Sequence, residues 1–176
     1  LTERCGLSKN VKHVCGDFLT YDWDGKKFDA IVSWLTFYHI FEHQILLQKC
    51  FNSIKPDGFF YAEDLFSRKP FNENELSELS EDIYAKYLPD FQTYKYEIEK
   101  IGFKLISCED MSEEWAKFTR NRYVSYKQQK DRHLRVHGED IYHSINSFYA
   151  FIDRYFSNGK LGGIRVIAKK IHTSSY

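Results

Sequence analysis

The 176-residue chain is poor in the residues that mark special architectures. It has four cysteines, Cys5, Cys15, Cys50 and Cys108, scattered with no C-x-x-C pair. That usage points to reduced thiols in a cytoplasmic protein rather than a disulfide framework. No apolar run approaches the roughly 18 residues that span a bilayer, and no secretory leader is visible, so no membrane partner is expected. Net charge is absent too, with 25 Lys and Arg against 25 Asp and Glu. A phosphate-binding surface is normally basic, which argues against a nucleic-acid partner. There is no internal repeat and no low-complexity tract. The chain begins on Leu1 rather than methionine.

What is present is the material of one folded domain. Hydrophobic residues make up 43% and aromatics 18%, enough for a real core at this length. Val11–Cys15 is short, rich in valine and ends at Gly16-Asp17, and is predicted to be a strand. Phe28–Trp34 is a nearly continuous apolar run, the pattern of a strand covered on both faces. Helical spacing over 42–55 precedes Pro56-Asp57-Gly58, and Phe59–Leu65 reads as a strand that turns acidic at its end. Asn72 with Glu75 makes a capping-box start, and Gly102 is placed to end a helix over 91–101. A strand over 103–108 follows. Helices run from Ser112 to about Phe156, with a break around 127–137, and Gly162-Gly163 leads into a closing strand, Ile164–Lys170. Strands alternating with helices imply an α/β sheet with helices on both faces.

Three segments in this order, VKHVCGDFL, FDAIVSWLTFYHI and SIKPDGFFYAEDLF, resemble the later motifs of class I (Rossmann-like) S-adenosylmethionine-dependent methyltransferases. The C-terminal half, with GFKLISCEDMSEEW and GGIRVIAKK, further resembles small-amine N-methyltransferases of the phosphoethanolamine type. The resemblance implies a sheet of order 3-2-1-4-5-7-6 with a C-terminal antiparallel hairpin. The first two strands, with their glycine-rich loop, are missing: no G-x-G occurs. Those strands are interior, so a longer native protein or a second chain is expected to complete the sheet. Within the domain, 1–66 would be the cofactor-binding half, 67–160 the acceptor-side cap and sheet edge, and 161–171 the closing strand.

The implied cofactor is S-adenosylmethionine and the implied partner a small-molecule acceptor, with an amine nitrogen receiving the methyl group. Asp17 would accept a hydrogen bond from the adenine amino group and Phe18 would pack on the ring; an ordinary turn is the alternative. Ser33 and Trp34 would pass the methionine end of the cofactor, or be a turn serine and a core tryptophan. His39 matches a histidine that handles protons near the acceptor nitrogen, a chemically apt role because an attacking amine must be neutral; a surface or capping histidine is its rival. Asp64 (with Glu63 beside it) would line the acceptor mouth, and Tyr87 matches an acceptor-contacting tyrosine that could equally be core. His39 with His43, and His133 with His137, lack the third ligand of a metal site, so no metal is expected. Leu35, Leu65 and Ala85 stand where the phosphoethanolamine-type enzymes place an acid, a tyrosine and an arginine. Loss of the guanidinium removes the main reason to expect a phosphorylated substrate. The wealth of Tyr and Phe suits a cation–π box or simply core. The other reading is a catalytically silent methyltransferase-like module acting in assembly or partner binding.

Overall fold

The computed structural model describes residues 1–171; the last five residues of the expected 1–176 domain lie outside them. Among the described residues four strands form one mixed sheet: β1 (Phe28–Trp34), β2 (Ile54–Ser67), β3 (Phe103–Asp110) and β4 (Leu161–Lys170). Their spatial order is β1-β2-β4-β3, as the 4-5-7-6 half of the expected order requires. β1 and β2 run parallel, while β4 is antiparallel to both β2 and β3. Between them lie α1 (His43–Ser53), α2 (Glu73–Asp82), α3 (Phe91–Ile101), α4 (Ser112–Gln128), α5 (Lys130–His137) and α6 (Glu139–Ser157).

Local chemistry explains most boundaries. The Asn72 carboxamide accepts from the Glu75 N–H while the Glu75 carboxylate takes the Asn72 N–H, both at 2.9 Å, so the capping box starts α2 as expected. Asp90 caps α3 through the Gln92 and Thr93 amides, and Gly102 ends it at φ 112°, backbone that a side chain rarely tolerates. β2 is longer than Phe59–Leu65. It begins at Ile54, pairs there with Phe28, and bulges through Pro56-Asp57-Gly58 before Phe59 meets Ala30. α1 accordingly stops at Ser53. At the start of β4, a side chain on Gly163 would overlap the Trp115 indole, and one on Gly162 would overlap the Phe66 ring. Absence of side chains there lets α4 lie directly on the strand.

One face of the sheet packs on α1 and α3, where Leu46, Leu47, Cys50, Phe60, Ile98 and Val166 lose all exposure. The opposite face is covered by α2, α4 and α6 around Leu65, Leu79, Phe151 and Leu161. That cover ends part-way along the strands.

Two strand expectations are overturned. Val11–Cys15 forms no strand and its five residues are exposed, because a strand is stable only with a ladder partner and none lies beside it among the described residues. Residues 18–21 are instead held by Lys49, whose ammonium donates to the carbonyls of Leu19 and Tyr21 at 2.8 and 2.6 Å. Phe28–Trp34 is a strand but an edge one, covered on one face only. Ser33 is buried, while Val32 and Trp34 face outward, Trp34 with 64% of its surface exposed. Among the described residues no helix is long and apolar enough to cross a membrane.

Candidate functional site

Parallel strands end where the chain must turn, and in open α/β sheets those ends make the ligand crevice. Here the segment after β1 is pinned from three sides. The Leu35 N–H donates to the Glu63 carbonyl at 2.8 Å, and the Thr36 hydroxyl donates to the Trp34 carbonyl at 2.9 Å. The Tyr38 N–H donates to the Asp64 carboxylate at 3.4 Å. Leu35 itself sits at φ 51°, a left-handed backbone that costs a branched residue energy and tends to persist at functional turns.

This turn is a wall shared by two concavities. Trp34, Thr36, Phe37 and Ile40, with Phe18 and Ser33, line a groove of about 360 Å³. Leu35 and Tyr38 line a separate cavity of about 470 Å³ on the other side, together with Glu63, Leu65 and residues of α4 and α6. That second cavity is mostly apolar: Trp115 and Phe118 come from α4, Phe148 and Ile152 from α6.

The residues expected to act are distributed unevenly over this geometry. Phe18, Ser33 and Trp34 meet in the groove. Asp17 lies just before Phe18, exposed, with its carboxylate accepting the Leu19 N–H at 2.9 Å in a tight turn. His39 is on the shared turn but lines neither concavity. Its Nδ1 lies 3.1 Å from the Tyr84 carbonyl, which can only accept, so Nδ1 carries the proton and Nε2 is the basic nitrogen.

Asp64 and Tyr87 do not reach the mouth. Side chains alternate across a strand, so Glu63 faces the cavity and Asp64 faces the interior, 1% exposed. Asp64 accepts from the Tyr38 N–H and from the Tyr94 hydroxyl, the latter at 3.2 Å. Burial pushes its carboxyl up to about 7 against the pull of those donors. The Tyr87 hydroxyl donates to Glu97 at 2.6 Å, and its ring lies beside His43. His43 Nδ1 is 2.7 Å from the same carboxylate, inside a buried cluster that joins α1 to α3. Burial lowers the His43 pKa, outweighing the Glu97 carboxylate.

Sequence reasoning missed the lining of the larger cavity. Its signal was helical spacing: Trp115, Phe118 and Arg122 recur at three and four residues along α4, and Phe148, Ile152 and Phe156 at four along α6. Such stripes usually mark core, and here they border a space instead.

Comparison with known proteins places this geometry. A family described as "Methyltransferase domain" matches residues 2–62. Phosphoethanolamine N-methyltransferase 1 of Arabidopsis thaliana is 25% identical over 147 residues, 82% of this chain and 29% of that one. Among solved structures, phosphoethanolamine N-methyltransferase 2 of Haemonchus contortus superposes with a TM-score of 0.79 at 18% identity, covering 89% of this chain and 36% of the other. A cyclopropane synthase from Mycobacterium tuberculosis superposes with a TM-score of 0.69 at 15% identity, covering 83% of this chain and 56% of its own. The chain thus spans about a third of the phosphoethanolamine methyltransferases it matches. The fold is the Rossmann-like sheet of class I methyltransferases.

Proposed function

We propose that this chain is the acceptor-facing portion of an S-adenosylmethionine-dependent methyltransferase acting on a small-molecule amine. The reading rests chiefly on one observation. The turn after β1 borders both a groove and an apolar cavity, and a group transfer needs donor and acceptor brought together at one rim with the reacting atoms in line and about 3 Å apart. The Haemonchus protein was crystallised with S-adenosylmethionine and, separately, with S-adenosylhomocysteine and phosphomonomethylethanolamine, which supports a methyl donor and a small amine as the two ligands.

The groove residues fit such a cofactor: Phe18 and Trp34 offer apolar faces beside a strand end, and Trp34 is exposed as a packing surface awaiting a partner would be. Asp17 would hold the adenine amino group, Phe18 and Trp34 would pack along the adenosyl portion, and Ser33 would border the methionine end. When bound, S-adenosylmethionine supplies a methyl group on a positively charged sulfur, released to a nucleophile as the carbon–sulfur bond breaks.

The remaining work falls to the protein. Leu35 and Tyr38 orient the acceptor from the far side of the turn, and Asp64 keeps that turn in place through the Tyr38 amide. Asp64 is thus a positioning residue rather than a binding one. His39 borders neither space, so its Nε2 takes the proton that an ammonium acceptor must lose through a bridging water rather than directly. Residues 1–66 serve the cofactor, 67–160 the acceptor cap and sheet edge, and 161–171 close the sheet. On this reading the free edge of β1 is completed by further strands, from the same chain or a second one.

Calorimetric titration of S-adenosylhomocysteine into the full-length protein tests the assignment. Saturable binding that weakens about tenfold in Trp34→Ala is expected, and its absence overturns the reading. His39→Ala should depress turnover with cofactor affinity unchanged. Equal turnover in the variant removes His39 from the mechanism.

A further inference from the structure

The lining of the 470 Å³ cavity narrows the class of acceptor, granted that the cavity is the acceptor site. Its walls are Leu35, Leu65, Trp115, Phe118, Phe148 and Ile152, which offer extended contact but almost no hydrogen bonds. Three charged side chains border it: Glu63, Glu114 and Arg122. Arg122 gives one N–H to the Tyr149 hydroxyl at 3.0 Å, with its guanidinium 5.6 Å from the centre of that ring. Glu63 is half-committed. Its Oε1 accepts from the Tyr61 hydroxyl at 2.6 Å and from Arg165 Nε at 2.8 Å. Glu114 is exposed at the mouth and makes no ion pair among the described residues.

A phosphorylated amine fits this lining poorly. Its dianion would enter an apolar space bordered by two carboxylates and a single guanidinium, which already gives one N–H to a tyrosine. Burying such charge without matched donors is costly. A cation with a greasy body fits well, since the apolar walls take the body while Glu114 and the rings of Tyr38, Trp115 and Phe118 favour the positive end.

We infer that the acceptor is an unphosphorylated amine with an apolar body of arylalkyl or alkyl type, seated between α4 and α6 with its ammonium at the Glu63–Glu114 rim. The inference rests on the methyltransferase reading for what the ligand does, but its test is independent of the cofactor.

Four probes decide it by calorimetric titration of the full-length protein: 3-phenylpropylamine, its alcohol 3-phenylpropanol, the carboxylate 3-phenylpropionate, and phosphoethanolamine. The amine should bind about tenfold more tightly than the carboxylate or phosphoethanolamine, with the alcohol between. Glu114→Gln, at an exposed position that should not disturb folding, should close the gap between amine and alcohol. Phe118→Ala, also exposed, should weaken both by about tenfold. Phosphoethanolamine or the carboxylate binding as well as the amine overturns the inference. So does an alcohol equal to the amine, amine binding indifferent to Phe118→Ala, or no binding of any probe. If S-adenosylhomocysteine binds and no probe does, this inference fails while the methyltransferase reading stands; the opposite pattern fails that reading alone.

Discussion

The two faces of the sheet are built to different standards. Against α1 and α3, the strands bury Phe60, Ala62, Ile164, Val166 and Ala168 almost completely. On the other face, α2, α4 and α6 cover the region of Leu65 and Gly163, then the cover lifts away. Beyond it Val32, Trp34 and Phe59 stay exposed on adjacent strands. Both proposed binding spaces lie where helix and strand part company, the cavity under α4 and α6 and the groove beside the bare end of β1. The closed face supplies rigidity and the partly open one supplies surface that a ligand or further chain can cover. A site of this kind is therefore to be sought where packing stops.

The sharpest test of the closed face is its buried acid. The folded-state pKa of Asp64 is raised from 3.8 to about 7 by burial. A raised folded pKa means that the native state holds the proton longer than the unfolded chain does. Its stabilising effect is complete below 3.8, declines as pH rises toward about 7, and is gone above that. Relative to Asp64→Asn, the wild type should thus lose roughly 3 kcal/mol of stability between pH 4 and 7. Urea unfolding of both proteins across this range measures it, and parallel curves would show that Asp64 ionises in the fold at no cost. His43, whose pKa is lowered by burial, destabilises as pH falls below its ordinary value of 6.5 and is common to both proteins, so it cancels.

A second comparison pits the faces directly. Ile98 has no exposed surface and packs from α3 onto the sheet, so Ile98→Ala should cost about 2–5 kcal/mol. Val32 lies on the open face at 48% exposure, and Val32→Ala should stay within about 0.5 kcal/mol. A large loss at Val32 would mean that the open face is covered in solution.

The elements legible in the sequence were those fixed by local rules. The capping pair Asn72 and Glu75, the stop at Gly102 and the long apolar runs each depend on residues within a few positions. What escaped depended on distant partners. Val11–Cys15 has the composition of a strand, yet composition supplies no neighbour. Period-two alternation shows that Glu63 and Asp64 face opposite sides, but both faces of β2 are apolar, so nothing local says which acid is buried. The pairing of His43 with Glu97 spans 54 residues and two helices. For the candidate site, the meeting of Ser33 and Trp34 in one groove was legible because both sit at the end of β1, whereas Phe18 joins them from a turn. The cavity lining was not legible, because Trp115 and Phe118 carry the same spacing a core helix would.

The smallest effect probes how the second face keeps its partial cover. α2 brings Leu79 and Ile83 onto that face, and its start is tied down twice. Asn72 and Glu75 close the capping box, and the Glu75 carboxylate also receives the Lys160 ammonium from the approach to β4. Removing the cap oxygen in Asn72→Ala should cost about 1 kcal/mol, since the ion pair remains to hold Glu75 near its place. The loss should be local: amide exchange should quicken in the first turn of α2 and stay unchanged in α3, whose cap, Asp90, belongs to the other face. If protection fell equally in both helices, the two faces would unfold as one unit and the contrast between them would be only geometric. If it fell in α2 alone, the helix covering Leu79 on the second face would be the part of the molecule that opens first.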